Sequence, residues 1–201
     1  MKIAIIKYNA GNVQSVRYAL QRIGIEPILT DDHEEIRSAD KVILPGVGNA
    51  ATAMKYLKDR QLDTIIRSLT QPVLGICLGL QLLCKRTMEG NTECMKIFDA
   101  SVSLFESDKQ QGKEQHYKVP QVGWNTIYDC ATDLFQAIPE QSYIYNVHSY
   151  YAEICGHTIA KTDYIATYSA ALQKDNFYAV QFHAEKSGAI GEKILSNFIA
   201  L

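Results

Sequence analysis

Three short stretches hold residues able to do chemistry. In GICLG, residues 75–79, Cys77 sits between Gly75 and Gly79, at the junction of an apolar run ending at Ile76 and another beginning at Leu78. A strand–turn–helix reading puts Cys77 on a tight turn that projects from the carboxyl edge of a sheet. The first N–H groups of the helix then lie beside the sulfur and favour the thiolate, the nucleophilic form of cysteine. The Leu78 N–H is placed to serve an oxyanion. The same stretch also fits a buried thiol beside a glycine needed for strand–helix packing.

The second stretch is VQFHAEKS, residues 180–187. His183 and Glu185 are two apart, so on extended backbone their side chains share one side. A carboxylate beside an imidazole fixes its tautomer and stabilises the imidazolium. Taken alone, such a pair describes many surface strands. With Cys77 it completes the order nucleophile, base, orienter. The third stretch is LPGVGNA, residues 44–50. It lacks the lysine and spacing of a phosphate-binding loop. Its backbone at Val47 and Gly48 can offer an N–H to an oxyanion on Cys77, or it can be a tight strand–helix turn.

Composition narrows the classes. The chain has 201 residues, 47% hydrophobic and 21% charged, enough for a sizeable core and consistent with one domain over residues 1–201. A net charge of −2 gives no basic footprint for nucleic acid. No run approaches the roughly 18 apolar residues of a membrane span. The opening MKIAIIKYNAGN reads as a first strand and turn rather than a signal peptide. The cysteines, 5 in number, show neither a CxxC nor a paired metal spacing. Free thiols in a reducing cytoplasm are expected, with no metal and no cofactor.

The three stretches need a scaffold, and periodicity supplies one. Apolar runs at 3–6, 25–29, 41–44 and 73–76 alternate with helical patterns at 13–23, 31–38, 50–57, 62–69 and from 78 onward. Strands separated by helices of this length predict an α/β fold: a mostly parallel open sheet flanked by helices. Ligands bind such sheets outside the carboxyl ends of the strands. The glycine-bearing loops 8–12, 45–48 and 75–79 fall there. The second half reads as an antiparallel β extension, with short β-like pieces at 101–105, 117–119, 126–128, 143–148, 151–154, 164–166 and 177–182. A polar surface hairpin or loop is expected at 106–114, and a closing helix over 190–199.

In this order, the three stretches resemble the class I (triad) glutamine amidotransferases, over essentially the whole chain from Ile3 to the C-terminal helix. Within that family, NAGN at 9–12, PGVG at 45–48, PQVGWN at 120–125 and HAEKS at 183–187 are similar to glutaminase subunits that feed a cyclase in histidine biosynthesis. The resemblance implies a flavodoxin-like core and attack of Cys77 on L-glutamine, with His183 as acid and base and Glu185 orienting it. It implies oxyanion donors at Leu78 and at Val47–Gly48, and glutamine binding by Gln81 and the backbone of His148, Ser149 and Tyr150. It also implies a heterodimer with a (β/α)8-barrel cyclase subunit, with Asn12, Trp124, Tyr145 and Lys186 at the junction. Without the resemblance, these four are ordinary aromatic and polar surface or core residues. Glutaminase subunits serving anthranilate or purine synthases, a non-catalytic flavodoxin-like module and a thiol-redox enzyme are the competing readings. Two departures stand out: Ala184 replaces the usual proline between His and Glu, and Lys7-Tyr8-Asn9 replaces an acidic end to the first strand.

Overall fold

The computed structural model describes residues 1–8, 11–106 and 117–201. Asn9 and Ala10 of the NAGN turn, and residues 107–114 of the expected polar hairpin, lie outside the described residues. The first half runs β1 (Ile3–Ile6), α1 (Val13–Arg22), β2 (Ile28–Thr30), α2 (His33–Arg37), β3 (Lys41–Leu44), α3 (Ala50–Asp59), α4 (Leu62–Ser68), β4 (Val73–Ile76) and α5 (Leu78–Leu83). The second half runs β5 (Arg86–Thr87), β6 (Thr92–Glu93), β7 (Ser101–Leu104), β8 (Gln121–Ile127), β9 (Ser142–His148), β10 (Tyr150–Ala152), β11 (Thr158–Asp163), β12 (Thr167–Lys174), β13 (Phe177–Val180) and α6 (Gly188–Ala200).

β1, β3 and β4 are buried at every position, as parallel strands covered on both faces must be. They belong to a seven-stranded sheet ordered β11-β12-β13-β4-β3-β1-β2. The pairs from β2 through β13 are parallel, and β12 and β11 extend the sheet antiparallel. Strand alternation sends Ile3, Ile5, Ile43, Leu74 and Ile76 to one face, against Leu20 of α1 and Ile194 and Phe198 of α6. Ala4, Ile6, Val42 and Leu44 go to the other, against Ile36, Met54, Leu57 and Ile66. Each fully buried large aliphatic side chain contributes roughly 1.5–3 kcal/mol, so this two-sided cover is the main source of stability. No helix among the described residues is long and apolar enough to cross a membrane.

Local signals end the helices where physics asks. Gly24 takes a φ of +82° after α1, and the Ile25 N–H reaches back to the Leu20 carbonyl at 2.9 Å, a glycine-closed C-terminus. That closure holds Ile25 in the helix stop, so β2 starts at Ile28 instead of the expected 25. Asp32 caps α2 by accepting from the Glu34 and Glu35 N–H groups.

The second half departs further from expectation. β11 and β12 have no counterpart in the apolar pattern except the piece at 164–166, which is the turn between them. Alanines and polar residues in TYSAALQK hide a strand whose stability comes from two flanking partners. Residues 117–119 are not a strand, and β8 instead spans all of QVGWNTI. Gly123, at a φ of +133°, and Asn125 are weak strand formers, held in the ladder by full pairing with β9. β8 and β9 form their own two-stranded sheet. Its outward face leaves Val122 59%, Trp124 57% and Tyr143 63% exposed.

α5 packs closely on the sheet. A Cβ on Gly79 would overlap the Leu44 carbonyl of β3. A Cβ on Gly75 would come within 2.9 Å of the Gly79 backbone. Gly79→Ala should therefore cost at least about 1–3 kcal/mol of overpacking and lower Tm by roughly 5–10 °C. Gly156→Ala, where a Cβ meets nothing within 4 Å, is the control. Equal melting temperatures for the two variants would refute the close-approach role.

Candidate active site

β4 ends at Ile76 and α5 begins at Leu78, so Cys77 alone makes the turn. It does so at φ 54° and ψ −106°, a conformation costing about 1–3 kcal/mol for a residue with a side chain. The Cys77 N–H is pinned to the Val180 carbonyl at 2.8 Å, which holds the strained turn to the end of β13. The small neighbours Gly75 and Gly79 allow the helix to sit directly on β3 and β4. Cys77 Sγ faces the Val147 carbonyl at 3.9 Å and Gln181 Nε2 at 3.8 Å.

β13 pairs with β4 in register, Val180 beside Ile76, and so delivers the following residues to the same sheet edge. His183 is buried, and its backbone N–H is held by the Tyr145 carbonyl at 2.9 Å. Its Nδ1 meets Glu185 Oε1 at 2.7 Å; the carboxylate accepts, so Nδ1 carries the proton. The spacing predicts this meeting on extended backbone. Instead the chain folds into a 3₁₀ turn over Ala184–Lys186. Glu185 reaches back across that turn, which Ser187 Oγ clamps by donating to the His183 carbonyl at 2.7 Å. Ala184 occupies the turn without disturbing it.

His183 Nε2 is buried and has no hydrogen-bond partner among the described residues. Burial lowers the imidazole pKa, but the Cys77 sulfur and the Glu185 carboxylate outweigh it and raise the ring to about 10. His148 goes the other way. Burial, aided by the nearby charge of His183, pushes it down to about 3 against the opposing effect of the Tyr150 carbonyl. His148 is therefore neutral, with Nδ1–H donating to that carbonyl at 2.8 Å. Its Nε2 must then accept, and the Asn146 side-chain amide stands 3.3 Å away. Turning the Asn146 nitrogen toward His148 satisfies both groups.

A cavity of about 270 Å³ opens over Cys77, slightly below the range of about 300–1,000 Å³ usual for larger ligands. Val47, Gly48, Leu78, Gln81, His148, Ser149 and Tyr150 all line it with Cys77. Two details differ from expectation. The Leu78 N–H is not free, but donates to the Gly46 carbonyl at 3.3 Å. Both N–H groups of Gln81 are also taken, by Tyr150 O at 3.0 Å and Gln181 Oε1 at 3.3 Å.

Of the four residues expected at a subunit junction, Asn12 turns inward. It precedes α1 without capping it, and its Nδ2 donates to Glu185 Oε1. Trp124 and Tyr145 form an edge-on ring pair at 5.5 Å on the β8–β9 ribbon, and Lys186 is exposed on the 3₁₀ turn. Sequence reasoning misses Glu89, Pro120 and Val147 in the cavity wall. It also misses Gln181 beside the sulfur and Tyr168, which donates to Gln121 at 2.9 Å within the His148 cluster. A lone amide in the apolar run VQF is the one signal that could find Gln181, since buried polar groups need partners.

The buried neutral His148 makes a checkable demand on stability. Its value falls from 6.5 to about 3 on folding, so between these the unfolded chain binds a proton that the folded ring refuses. Its stabilising contribution is complete above pH 6.5 and is lost as pH falls toward 3, at about 1.4 kcal/mol per pH unit. Urea unfolding at a series of pH values over this window should show a shallower acid loss for His148→Gln than for the parent chain. Parallel curves would contradict the assignment.

Comparison with known proteins shows which family the chain resembles over its full length. The family model described as "Glutamine amidotransferase class-I" matches residues 4–201. A relative from Bacteroides thetaiotaomicron named "Imidazole glycerol phosphate synthase subunit HisH" is 52% identical over 201 residues, covering 100% of both chains. One of the same name from Bacteroides fragilis is 53% identical over 201 residues, again covering 100% of each. Among solved structures, a glutamine amidotransferase from Thermotoga maritima has a TM-score of 0.65 at 18% identity, over 100% of this chain and 81% of that one. At that identity the likeness speaks for the fold alone. The full-length family match and the Bacteroides relatives establish that the chain belongs to the class-I glutamine amidotransferase family.

Proposed function

We propose that this chain is the glutaminase subunit of an imidazole glycerol phosphate synthase, hydrolysing glutamine and passing ammonia to a cyclase subunit in histidine biosynthesis. The observation that carries the reading is the single cavity wall shared by Cys77 and the expected glutamine-binding residues, backed by the His183–Glu185 pair. The names of the full-length Bacteroides relatives support the choice of synthase. Residues 1–201 act together as one glutaminase domain. Its free thiols suit the cytoplasm.

In this mechanism the Cys77 thiolate attacks the carboxamide carbon, forming the C–S bond. His183, carrying its proton, gives it to the departing nitrogen as the C–N bond breaks and ammonia leaves. Formation of the thioester removes the negative sulfur that held the ring charged. Neutral His183 then takes a proton from water, whose oxygen attacks the thioester to release glutamate and regenerate Cys77. Glu185, steadied by Asn12, keeps the ring in the Nδ1–H tautomer. The Leu78 N–H exchanges its long bond to Gly46 for the tetrahedral oxyanion, with a second donor from Val47–Gly48. Glu89 is the carboxylate of the cavity wall and serves as the counter-charge for the α-ammonium of glutamine. His148, Ser149 and Tyr150 contribute backbone groups, and Gln81 contributes its Oε1.

Ammonia set free in water would be protonated and lost as a nucleophile, so a receiving subunit is part of the reading. Its docking surface is the exposed apolar face of β8–β9 around Val122, Trp124, Tyr143 and Tyr145, with Lys186 at its margin. A cyclase subunit of (β/α)8-barrel form is the proposed occupant.

Cys77→Ala should reduce glutamate release by roughly 10⁴-fold or more, while ammonia-supported synthesis by the complex continues. Retained glutamine hydrolysis would exclude Cys77 as the nucleophile. Glu89→Gln should raise KM for glutamine by about 10–100-fold with a much smaller change in kcat. An unchanged KM removes Glu89 from ammonium binding. Co-purification with the cyclase, followed by glutamine turnover with and without the cyclase substrate, tests the partner. Absence of both association and stimulation would reject it.

A further inference from the structure

We infer that Gln181 is a catalytic residue of this site, an N–H donor that stabilises the Cys77 thiolate, and that Gln81 is the positioning residue that aims it. The inference rests on the reading of Cys77 as nucleophile and adds a role to it.

Tyr150 O can only accept, so the end of the Gln81 amide that lies 3.0 Å from it is the NH₂ group. The same NH₂ lies 3.3 Å from the Gln181 amide, and the atom it meets must accept as well. That atom is Oε1, which leaves Gln181 Nε2 facing the other way, 3.8 Å from Cys77 Sγ. The direction of the Gln181 amide is thus dictated by a chain of donors and acceptors anchored on backbone. Tyr150 O is itself held by His148 Nδ1–H at 2.8 Å, so the anchor cannot easily turn.

Gln181 is 0% exposed, one residue beyond β13, with its backbone N–H on the Ala170 carbonyl at 2.8 Å. A side-chain amide buried this fully needs partners for its N–H groups. Among the described residues, its Nε2 meets the sulfur. Cys77 is itself only 5% exposed, and an N–H aimed at its sulfur favours the charged over the neutral thiol. It does so on the side away from the cavity, where it would not compete with substrate. The family resemblance assigns Gln81 to glutamine. Its N–H groups instead serve Tyr150 and Gln181, and its contribution to the nucleophile passes through Gln181.

The test is the pH dependence of Cys77 alkylation by iodoacetamide in the full chain, read by mass spectrometry on the Cys77 peptide. In Gln181→Met, which keeps length but has no donor, the midpoint of the rate profile should move up by about one pH unit, and the rate below it should fall about tenfold. Gln181→Glu, which presents an acceptor to the sulfur, should move it at least as far. Gln81→Met should move it less, and adding Gln81→Met to Gln181→Met should change nothing further. A residue that only fills space would lower the melting temperature and leave the midpoint alone. An unchanged midpoint in folded Gln181→Met overturns the inference. Should that variant not fold, an unchanged midpoint in Gln81→Met overturns it equally. The nucleophile reading is decided separately, by glutamate release in Cys77→Ala, so failure of one is distinguishable from failure of the other.

Discussion

Only one residue separates β4 from α5, and everything in the site depends on how it makes that turn. Cys77 adopts a positive φ with a full side chain attached, so the surrounding structure has to hold it there. It does so with the backbone bond from Cys77 to Val180, the parallel register of β4 with β13, and a helix pressed onto β3 at Gly79. The turn aims the sulfur off the sheet edge, and the strand that pins it brings Gln181 and His183 to the same edge. Cys77, Gln181 and His183 are therefore placed by one strand pair rather than by separate loops.

The second constraint is electrostatic. Two buried imidazoles lie in one small region, and their surroundings drive them in opposite directions. His183 has a carboxylate on Nδ1 and a sulfur close by, and it holds its proton. His148 has a carbonyl and an amide, and it stays neutral. Two cationic rings so near each other would repel, so neutrality at His148 protects the charge at His183. Asn12 adds a bond to Glu185 from the start of α1. That helix lies far from Glu185 in the chain, and the contact ties the orienting carboxylate to the β1 side of the sheet.

Legibility follows the source of each element's stability. β1, β3 and β4 are continuous apolar runs, because burial on both faces writes itself into composition. α2 is legible through Asp32 and the end of α1 through Gly24, because caps are local chemistry. β12 is not, since Ala170 and Ala171 are strand residues only by virtue of β11 and β13 on either side. β8 is hidden in the pattern by Gly123 and Asn125, which depend on β9 for their place in the ladder. The same division runs through the site. The seven residues that the resemblance assigns to the oxyanion and to glutamine share one cavity wall with Cys77, whereas Glu89 has no motif around it and Gln181 is a lone amide between apolar neighbours inside VQFHAEKS.

By itself, the sequence determined the residue types able to do the chemistry, their order along the chain, the parallel half of the sheet and the family resemblance. These are carried by local pattern: glycines beside a cysteine, a carboxylate two residues from an imidazole, apolar runs between helices. Tertiary structure alone decided that Glu185 meets His183 across a 3₁₀ turn, that Asn12 faces that carboxylate, and that the Gln81 amide is spent on Tyr150 and Gln181. The reason is directional. A hydrogen bond between residues far apart in the chain depends on where two backbones cross and which way each amide points, and neither is encoded in the spacing of residue types.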